Sequence, residues 1–190
     1  MHTYLGENVN SKQLAEEAIK IELDILGKPI GVLDQHIIAV GGLRAIEFAP
    51  SGQVFAQKVE MAESIKEDFN NSLMLFYTGI TRKAGDVLSS FSVEDNKPLL
   101  DQNKIFANDG VVALLKGDLR KFGQILDTYW EMKKQLIDKV SNPEIDLMYE
   151  KAKKAGAIGG KVIGAGGGGL LLIVFPANKR AVIREALKDY

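Results

Sequence analysis

Residues 159–169 read Gly-Gly-Lys-Val-Ile-Gly-Ala-Gly-Gly-Gly-Gly, and this stretch decides more about the fold than any other part of the chain. Eight of the 19 glycines lie between Gly156 and Gly169, and five of them occupy the six positions from Gly164 to Gly169. Each glycine loses much backbone entropy on folding, so such a cluster indicates a turn that needs positive φ or a close backbone approach. Successive N–H groups in such a turn can point at one anion, as in phosphate-binding loops.

The run differs from two common glycine motifs. It lacks the Gly-Lys-Ser/Thr of a Walker A loop, and a strand is predicted after it, whereas a helix follows the Gly-x-Gly-x-x-Gly motif. The structural alternative is a tight hairpin between two strands, although a hairpin needs only one or two glycines. The sequence favours an anion-binding turn and leaves the hairpin open.

The segments around the glycine run alternate between helical and extended patterns. Asp118 is predicted to cap one helix, and Asn142 another with Pro143 at its first position. Helices are predicted at 12–26, 104–140 (broken near 117–118), 142–154 and 178–190, and the first of them has one apolar face formed by Leu14, Ala18, Ile21 and Ile25. Strands are predicted at 43–48, 53–59, 72–77, 157–163 and 170–175, and the first two should form a hairpin joined by a short turn at 49–52.

Composition excludes several classes of protein. The chain has 190 residues, 46% of them hydrophobic and 26% charged, which excludes disordered, collagen-like and coiled-coil chains. The 24 Lys and Arg against 25 Asp and Glu do not suit a nucleic-acid binder. With no cysteine, disulfides and thiolate zinc sites are excluded.

No signal-peptide pattern opens the sequence, and Leu170 to Phe175 is too short to span a bilayer, so we expect no membrane partner and a cytoplasmic location.

Two carboxylates lie close together in the first third of the chain. Helical projection places Glu22 among the apolar Ala15, Ala18 and Leu26, where an acid must be paired, metal-bound or at a wet edge. An ion-paired glutamate is the simpler interpretation. Asp34 begins an apolar segment, and there the simpler interpretation is a carboxylate favoured by a helix N-terminus. In the functional interpretation, the two acids face one cleft, where one binds a metal ion and the other acts on a proton.

The segment Thr78-Gly79-Ile80-Thr81-Arg82 follows a predicted strand. An arginine in this position suits a phosphate or carboxylate ligand. A surface arginine in a loop is an equally good interpretation of this segment taken alone.

Taken together, these segments resemble the GHMP small-molecule kinases, which include galactokinases, homoserine kinases and mevalonate kinases, and they are most like the heptose 7-phosphate kinases of that family. The resembling segments follow in order along nearly the whole chain: 14–22, 27–35, 41–42, 76–82 and 159–169.

The resemblance implies an α+β fold and a reaction. Residues 1–62 would be the remnant of a ribosomal-S5-like N-terminal lobe, and residues 63–190 a ferredoxin-like C-terminal domain. The implied enzyme is a sugar kinase that uses ATP and Mg²⁺ to phosphorylate the anomeric hydroxyl of a heptose 7-phosphate or similar sugar. Galactose or mevalonate is the alternative acceptor.

The resemblance also implies roles for individual residues. Asp34 would be the catalytic residue beside the acceptor hydroxyl, as base or orienting group, and Glu22 would help to hold Mg²⁺. The loop near the ATP phosphates would be Gly164, Ala165, Gly166, Gly167, Gly168 and Gly169. The acceptor sugar phosphate would contact Asp34, Gln35, Thr78, Gly79, Thr81 and Arg82.

One family motif is missing from the sequence: nothing matches the Pro-x-x-x-Gly-Leu-Gly-Ser-Ser loop that wraps the ATP phosphates. We therefore expect the C-terminal part of a kinase, whether a truncated frame, one piece of a split enzyme or an engineered fragment, with an incomplete ATP site and little turnover alone. An apolar surface should be exposed where the missing strands would pack, and it predicts a homodimer or an N-terminal half supplied in trans. The alternative from another class is a non-catalytic remnant that keeps the fold.

Overall fold

The structure is a computed structural model that describes residues 2–82, 85, 87 and 97–190. It divides into two compact units, Met1–Glu60 and Met61–Tyr190.

The first unit begins with helices. Helix α1 spans His2–Leu5 and α2 spans Ser11–Ile19, which continues as a π-helix over Lys20–Ile25. Asn10 caps α2 by accepting a hydrogen bond from the Gln13 backbone N–H. Helix α3 spans Leu33–Val40 and stops at Gly41, whose φ of 64° is unfavourable for other residues.

The regular helix expected over residues 12–26 is wrong in its second half. The Leu26 N–H bonds to the Ile21 carbonyl, five residues back, and this wider turn changes which side chains share a face. Ile21 and Ile25, expected on the buried face, are 51% and 67% exposed.

A β-hairpin completes the first unit. Strands β1 (Arg44–Phe48) and β2 (Val54–Lys58) pair antiparallel, with Arg44 opposite Lys58 and Phe48 opposite Val54. The turn between them is the predicted one, since Gly52 has a φ of 82° and donates to the Ala49 carbonyl.

The second unit is built on a three-stranded antiparallel sheet. After α4 (Glu63–Asn71) come β3 (Leu73–Tyr77), β4 (Gly159–Val162) and β5 (Leu170–Val174), in the spatial order β3-β5-β4. The third strand lies between the first two and is antiparallel to both. The first three strands of a ferredoxin-like βαββαβ fold take this arrangement.

Helices accompany this sheet. They are α5 (Lys97–Leu115), α6 (Leu119–Leu136), α7 (Pro143–Lys154) and α8 (Arg180–Ala186), the last preceded by a 3₁₀ turn over Ala177–Lys179. The predicted caps are confirmed: the Asp118 carboxylate accepts from the Lys121 N–H, and the Asn142 carboxamide from the Ile145 N–H. None of the helices in the described part of the chain is long and apolar enough to cross a membrane.

The core of the second unit lies between the sheet and these helices. Fully buried side chains include Trp130 on α6, Met148 on α7, Leu171 and Ile173 on β5, and Ile183 on α8. Each buried side chain of this size contributes about 1.5–3 kcal/mol to folding.

Glycines bring α6 and β4 into close contact. A Cβ atom on Gly159 would collide with the Gly123 carbonyl oxygen, and one on Gly123 would lie 2.8 Å from the Ile158 side chain. A Cβ atom on Gly160 would collide with the Leu172 carbonyl oxygen, so packing explains both glycines that open the run, with no need for a ligand.

Candidate functional site

Glu22, Asp34 and Gln35 line one cavity of about 380 Å³ in the first unit. The apolar side chains that complete its wall come from α2 and α3: Leu14, Ala18, Ile38 and Ala39. The two acids that the sequence singles out are thus brought to one place, together with the amide that follows Asp34.

Glu22 is held by two donors. Its carboxylate accepts a hydrogen bond from Lys28 Nζ at 2.9 Å and one from Gln35 Nε2 at 2.5 Å. The Lys28 bond, and then the Gln35 bond, lower the pKa of Glu22 below its ordinary value of 4.5. Glu22 is therefore ion-paired with Lys28, as the simpler interpretation has it. Glu22 also lines the cavity.

Gln35 has an unsatisfied acceptor. The residue is 6% exposed, and its Oε1 is buried without a hydrogen-bond donor among the described residues. A buried carbonyl oxygen without a partner is costly. Oε1 therefore suits a cation or a hydroxyl donor supplied by a ligand.

Asp34 is the second residue of α3 and is exposed. It lies in the first turn of the helix, as predicted, where the helix dipole favours a negative charge. No residue in the described part of the chain donates a hydrogen bond to its carboxylate, so the group is available to a ligand in the cavity.

In the second unit, the carbonyl groups of the glycine loop are held by side chains from other elements. Lys133 Nζ donates to the carbonyls of Gly164 and Ala165 at 3.3 and 3.2 Å, and Arg82 Nε donates to that of Gly166. Thr78 Oγ1 donates to the Gly169 carbonyl at 3.0 Å.

The amide groups of the loop divide into two sets. The Gly167 N–H donates to the Val140 carbonyl and the Gly169 N–H to the Ile80 carbonyl, which anchors the loop on both sides. The N–H groups of Gly164, Ala165 and Gly168 have no acceptor within the described residues. These donors are free to meet an anion.

Packing explains part of the glycine content of this loop. A Cβ atom would lie 2.7 Å from the Lys139 carbonyl at Gly167 and 2.6 Å from the Ile80 carbonyl at Gly168, while at Gly164 the surroundings are open. The loop connects β4 to β5, so the hairpin interpretation is correct for its topology. It is also a hairpin with unpaired amide donors.

Three cations lie beside the loop: Arg82, Lys133 and Lys161. Lys133 is 7% exposed, and burial, then Lys161, then Arg82, lower the pKa of Lys133 to about 8. Burial also lowers the pKa of Lys161, whose Nζ lies 4.7 Å from the centroid of the Tyr129 ring.

The remaining predicted residues are placed separately. Thr78 is 3% exposed and lines, together with Gly79, a second cavity of about 470 Å³ near Glu144 and Tyr190. Thr81 is exposed and lines neither of these cavities.

Lys133 was not among the residues predicted from the sequence. The signal was available, because Lys133 follows Trp130 by three residues and precedes Ile137 by four, which places a lysine on the buried stripe of α6. No role was predicted for Lys161, within the glycine run. Asn142 was predicted only as a helix cap, whereas its Nδ2 also donates to the Gly167 carbonyl at 3.4 Å.

Comparison with known proteins adds to this geometry. Residues 111–190 match the profile of the family described as GHMP kinases C terminal. This part of the chain is similar to the C-terminal domain of the GHMP kinases. This match covers α6, α7, the glycine loop and the end of the chain.

Two curated kinases are similar over nearly the whole chain. The D-glycero-alpha-D-manno-heptose 7-phosphate kinase of Campylobacter jejuni is 30% identical, over 97% of this chain and 56% of its own. The galactokinase of Pyrococcus furiosus is 26% identical, over 96% of this chain and 59% of its own. The chain thus spans a little more than half the length of these relatives.

Solved structures are also similar to this chain over nearly its whole length. A D-glycero-D-manno-heptose 1-phosphate kinase from Bacteroides thetaiotaomicron superposes with a TM-score of 0.75 and 26% identity, covering 98% of this chain and 52% of that one. The α+β fold of the GHMP kinases, expected from the sequence, is confirmed.

Proposed function

We propose that this chain is an ATP-dependent sugar kinase or its C-terminal part, and that the kinase transfers the γ-phosphoryl group of ATP to the anomeric hydroxyl of a heptose 7-phosphate or similar sugar. The observation that carries the proposal is the shared cavity of Glu22, Asp34 and Gln35 in a chain whose residues 111–190 are similar to the C-terminal domain of the GHMP kinases. Similarity to a heptose 7-phosphate kinase supports this acceptor. An enzyme that consumes ATP is consistent with the expected cytoplasmic location.

Asp34 would act on the acceptor hydroxyl. Its carboxylate orients the anomeric O–H and accepts its proton while the sugar oxygen bonds to the γ-phosphorus and the bond to the leaving ADP oxygen breaks. The exposed position of Asp34 in the cavity, with no described partner, suits this role.

Glu22 and Gln35 would hold Mg²⁺. A carboxylate and an amide carbonyl are the oxygen ligands that Mg²⁺ prefers, and the unpartnered Oε1 of Gln35 fits a metal ion or its water. When bound, Mg²⁺ would neutralise negative charge on the phosphate groups. No cluster of three or more His, Cys, Asp or Glu exists among the described residues, so water and phosphate oxygens would complete the coordination, as is usual for Mg²⁺.

The loop from Gly164 to Gly169 would lie near the ATP phosphates. The free N–H groups of Gly164, Ala165 and Gly168 support this proposal, because fixed amide dipoles stabilise phosphate charge without reorganising. Thr78, Gly79, Thr81 and Arg82 are proposed to contact the acceptor sugar phosphate.

A substrate panel tests the proposal. Isothermal titration of the chain with heptose 7-phosphate, galactose and mevalonate, each with and without Mg-ATP, should show binding of the sugar phosphate. Asp34→Asn should weaken it, whereas Asp24→Asn, an exposed acid on the π-helix, should not. Preference for galactose or mevalonate would overturn the assigned acceptor.

A second candidate function is a non-catalytic module that requires a partner. Its support is the exposure of large apolar side chains in the first unit, including Ile25, Leu26, Ile38 and Phe55, at 47–79%. The occupant would be a second copy of the chain or an N-terminal half that carries the ATP loop. Strong Mg-ATP binding by this chain alone would contradict it.

A further inference from the structure

Arg82, Lys133 and Lys161 come from three separate segments: the first two bond to the Gly164–Gly169 loop, and Lys161 lies with Lys133 near the Tyr129 ring. Arg82 follows β3, Lys133 lies on α6 and Lys161 on β4. Besides the bond from Arg82 Nε to Gly166, a Cβ atom on Gly164 would lie 4.0 Å from Arg82 Nη2, so the guanidinium extends along the loop. The ammonium groups of Lys133 and Lys161 share the Tyr129 ring, at 5.9 and 4.7 Å from its centroid.

Among the described residues, this cluster of positive charge has no compensating acid. Within the part of the chain that the structure describes, no carboxylate forms an ion pair with any of the three residues. The neighbouring Lys134, by contrast, pairs with Glu131 at 2.9 Å. Partly buried charges normally require an opposite charge, and like charges held together are unfavourable.

We propose that Arg82, Lys133 and Lys161 form a binding site for a phosphate group of the ligand at the Gly164–Gly169 loop. The guanidinium fork suits two phosphate oxygens, and the two ammonium groups act as point charges. Three positive charges match a dianionic phosphate better than a carboxylate. The anion site rests on the charge cluster alone; the assignment of its phosphate to a kinase substrate rests on the proposed function.

A purely structural role explains only part of this arrangement. Lys133 and Arg82 support the loop through its carbonyl groups, but at 3.2–3.3 Å the Lys133 bonds are longer than charge-assisted bonds usually are. Lys161 has no hydrogen-bond acceptor among the described residues, so loop support does not explain its position. Lys161 therefore separates the two interpretations.

The test is titration of the chain with inorganic phosphate, followed by calorimetry and by the amide NMR shifts of Gly164, Ala165 and Gly168. Lys161→Met should weaken phosphate binding by about tenfold or more, the loss expected for one charge-assisted contact. The matched control is Lys151→Met, which removes a lysine that lies 5.0 Å from the Tyr190 ring and should leave phosphate binding unchanged.

Two results would overturn the proposal. One is the absence of phosphate binding by the unaltered chain at tens of millimolar phosphate. The other is equal phosphate binding by the Lys161→Met variant and the unaltered chain, with thermal unfolding showing that both are folded. Lys133→Met is a secondary variant, because it also removes support for the loop.

Competition identifies the source of the phosphate. Displacement of inorganic phosphate by heptose 7-phosphate, and not by unphosphorylated heptose, assigns the site to the acceptor, whereas displacement by ATP assigns it to the nucleotide. If inorganic phosphate binds and neither compound displaces it, the anion site stands and the proposed function fails. If the sugar phosphate binds equally well to the Lys161→Met variant, the proposed function stands and the anion site fails.

Discussion

Gln35 donates a hydrogen bond to Glu22 across 13 residues of sequence, from Nε2 to Oε2 at 2.5 Å. The bond joins the first turn of α3 to the π-helix that follows α2. It fixes the carboxylate of Glu22 in the cavity wall and leaves Gln35 Oε1 as a buried acceptor without a donor among the described residues. The site in the first unit depends on this pair.

Lys28→Met should raise the pKa of Glu22 toward its ordinary value, because the Lys28 hydrogen bond is the largest cause of its lowering. A group with a lowered pKa stabilises the folded state above its unfolded pKa, here about 4.5, and loses that contribution as the pH falls through the folded value. NMR titration of the Glu22 carboxyl carbon measures the shift. Lys12→Met, which removes an exposed pair with Glu16, is the control, and an unchanged Glu22 pKa in Lys28→Met would contradict the prediction.

If the proposed kinase activity is correct, Asp34→Asn should abolish most phosphoryl transfer while leaving nucleotide affinity nearly intact. An amide cannot accept the hydroxyl proton, and loss of a general base typically lowers kcat by about 10²–10⁴-fold. Steady-state kinetics and ATP titration measure the two effects. Equal losses of turnover and ATP affinity would assign Asp34 to nucleotide binding instead.

Lys133 should make the stability of the chain rise with pH above 8. Its folded pKa of about 8 lies below the ordinary 10.5, so between these values the unfolded chain holds a proton that the folded chain has released. The free energy of unfolding therefore increases with pH through this group. The charged neighbours are Lys161 and Arg82.

Urea unfolding at pH 8 and pH 10 checks this prediction. The Lys133→Met variant should lack the part of the pH dependence that Lys133 supplies, so its unfolding free energy should rise less than that of the unaltered chain. Parallel pH profiles for the two proteins would show that the Lys133 pKa is not lowered.

Gly167→Ala should destabilise the chain more than Gly164→Ala does. Both positions have positive φ, at 75° and 74°, which costs an alanine about 1–2 kcal/mol. Only at Gly167 would the added Cβ also lie 2.7 Å from the Lys139 carbonyl, so the total there should exceed about 2 kcal/mol. Urea unfolding measures the difference.

Gly110→Ala is the matched control for these loop variants. Gly110 lies inside α5, and its added Cβ would make ordinary contacts at 3.8 Å with Phe122. The substitution should stabilise the helix by about 0.5–1 kcal/mol. Equal destabilisation by all three alanines would show that the loop backbone does not require glycine.

The caps and turns could be predicted because their hydrogen bonds are local. Asp118 and Asn142 bond to amides within three residues, and Gly52 closes a turn of four residues, so neighbouring residues in sequence contain all the necessary information. The π-helix after Ile19 was missed because no local residue pattern distinguishes it from an α-helix. Ile21 and Ile25, which lie on this π-helix, are exposed.

The sequence by itself determined which residues could carry chemistry: two acids separated by a short turn, and a glycine run whose backbone conformation few other residues could adopt. The tertiary structure alone decided that Lys133 donates a hydrogen bond to the Gly164 carbonyl, 31 residues away in sequence. It also decided that Arg82 donates one to the Gly166 carbonyl, 84 residues away. Residue type limits local conformation and charge, whereas such long-range contacts depend on how the sheet and helices pack together. A sequence read in order does not contain that packing explicitly.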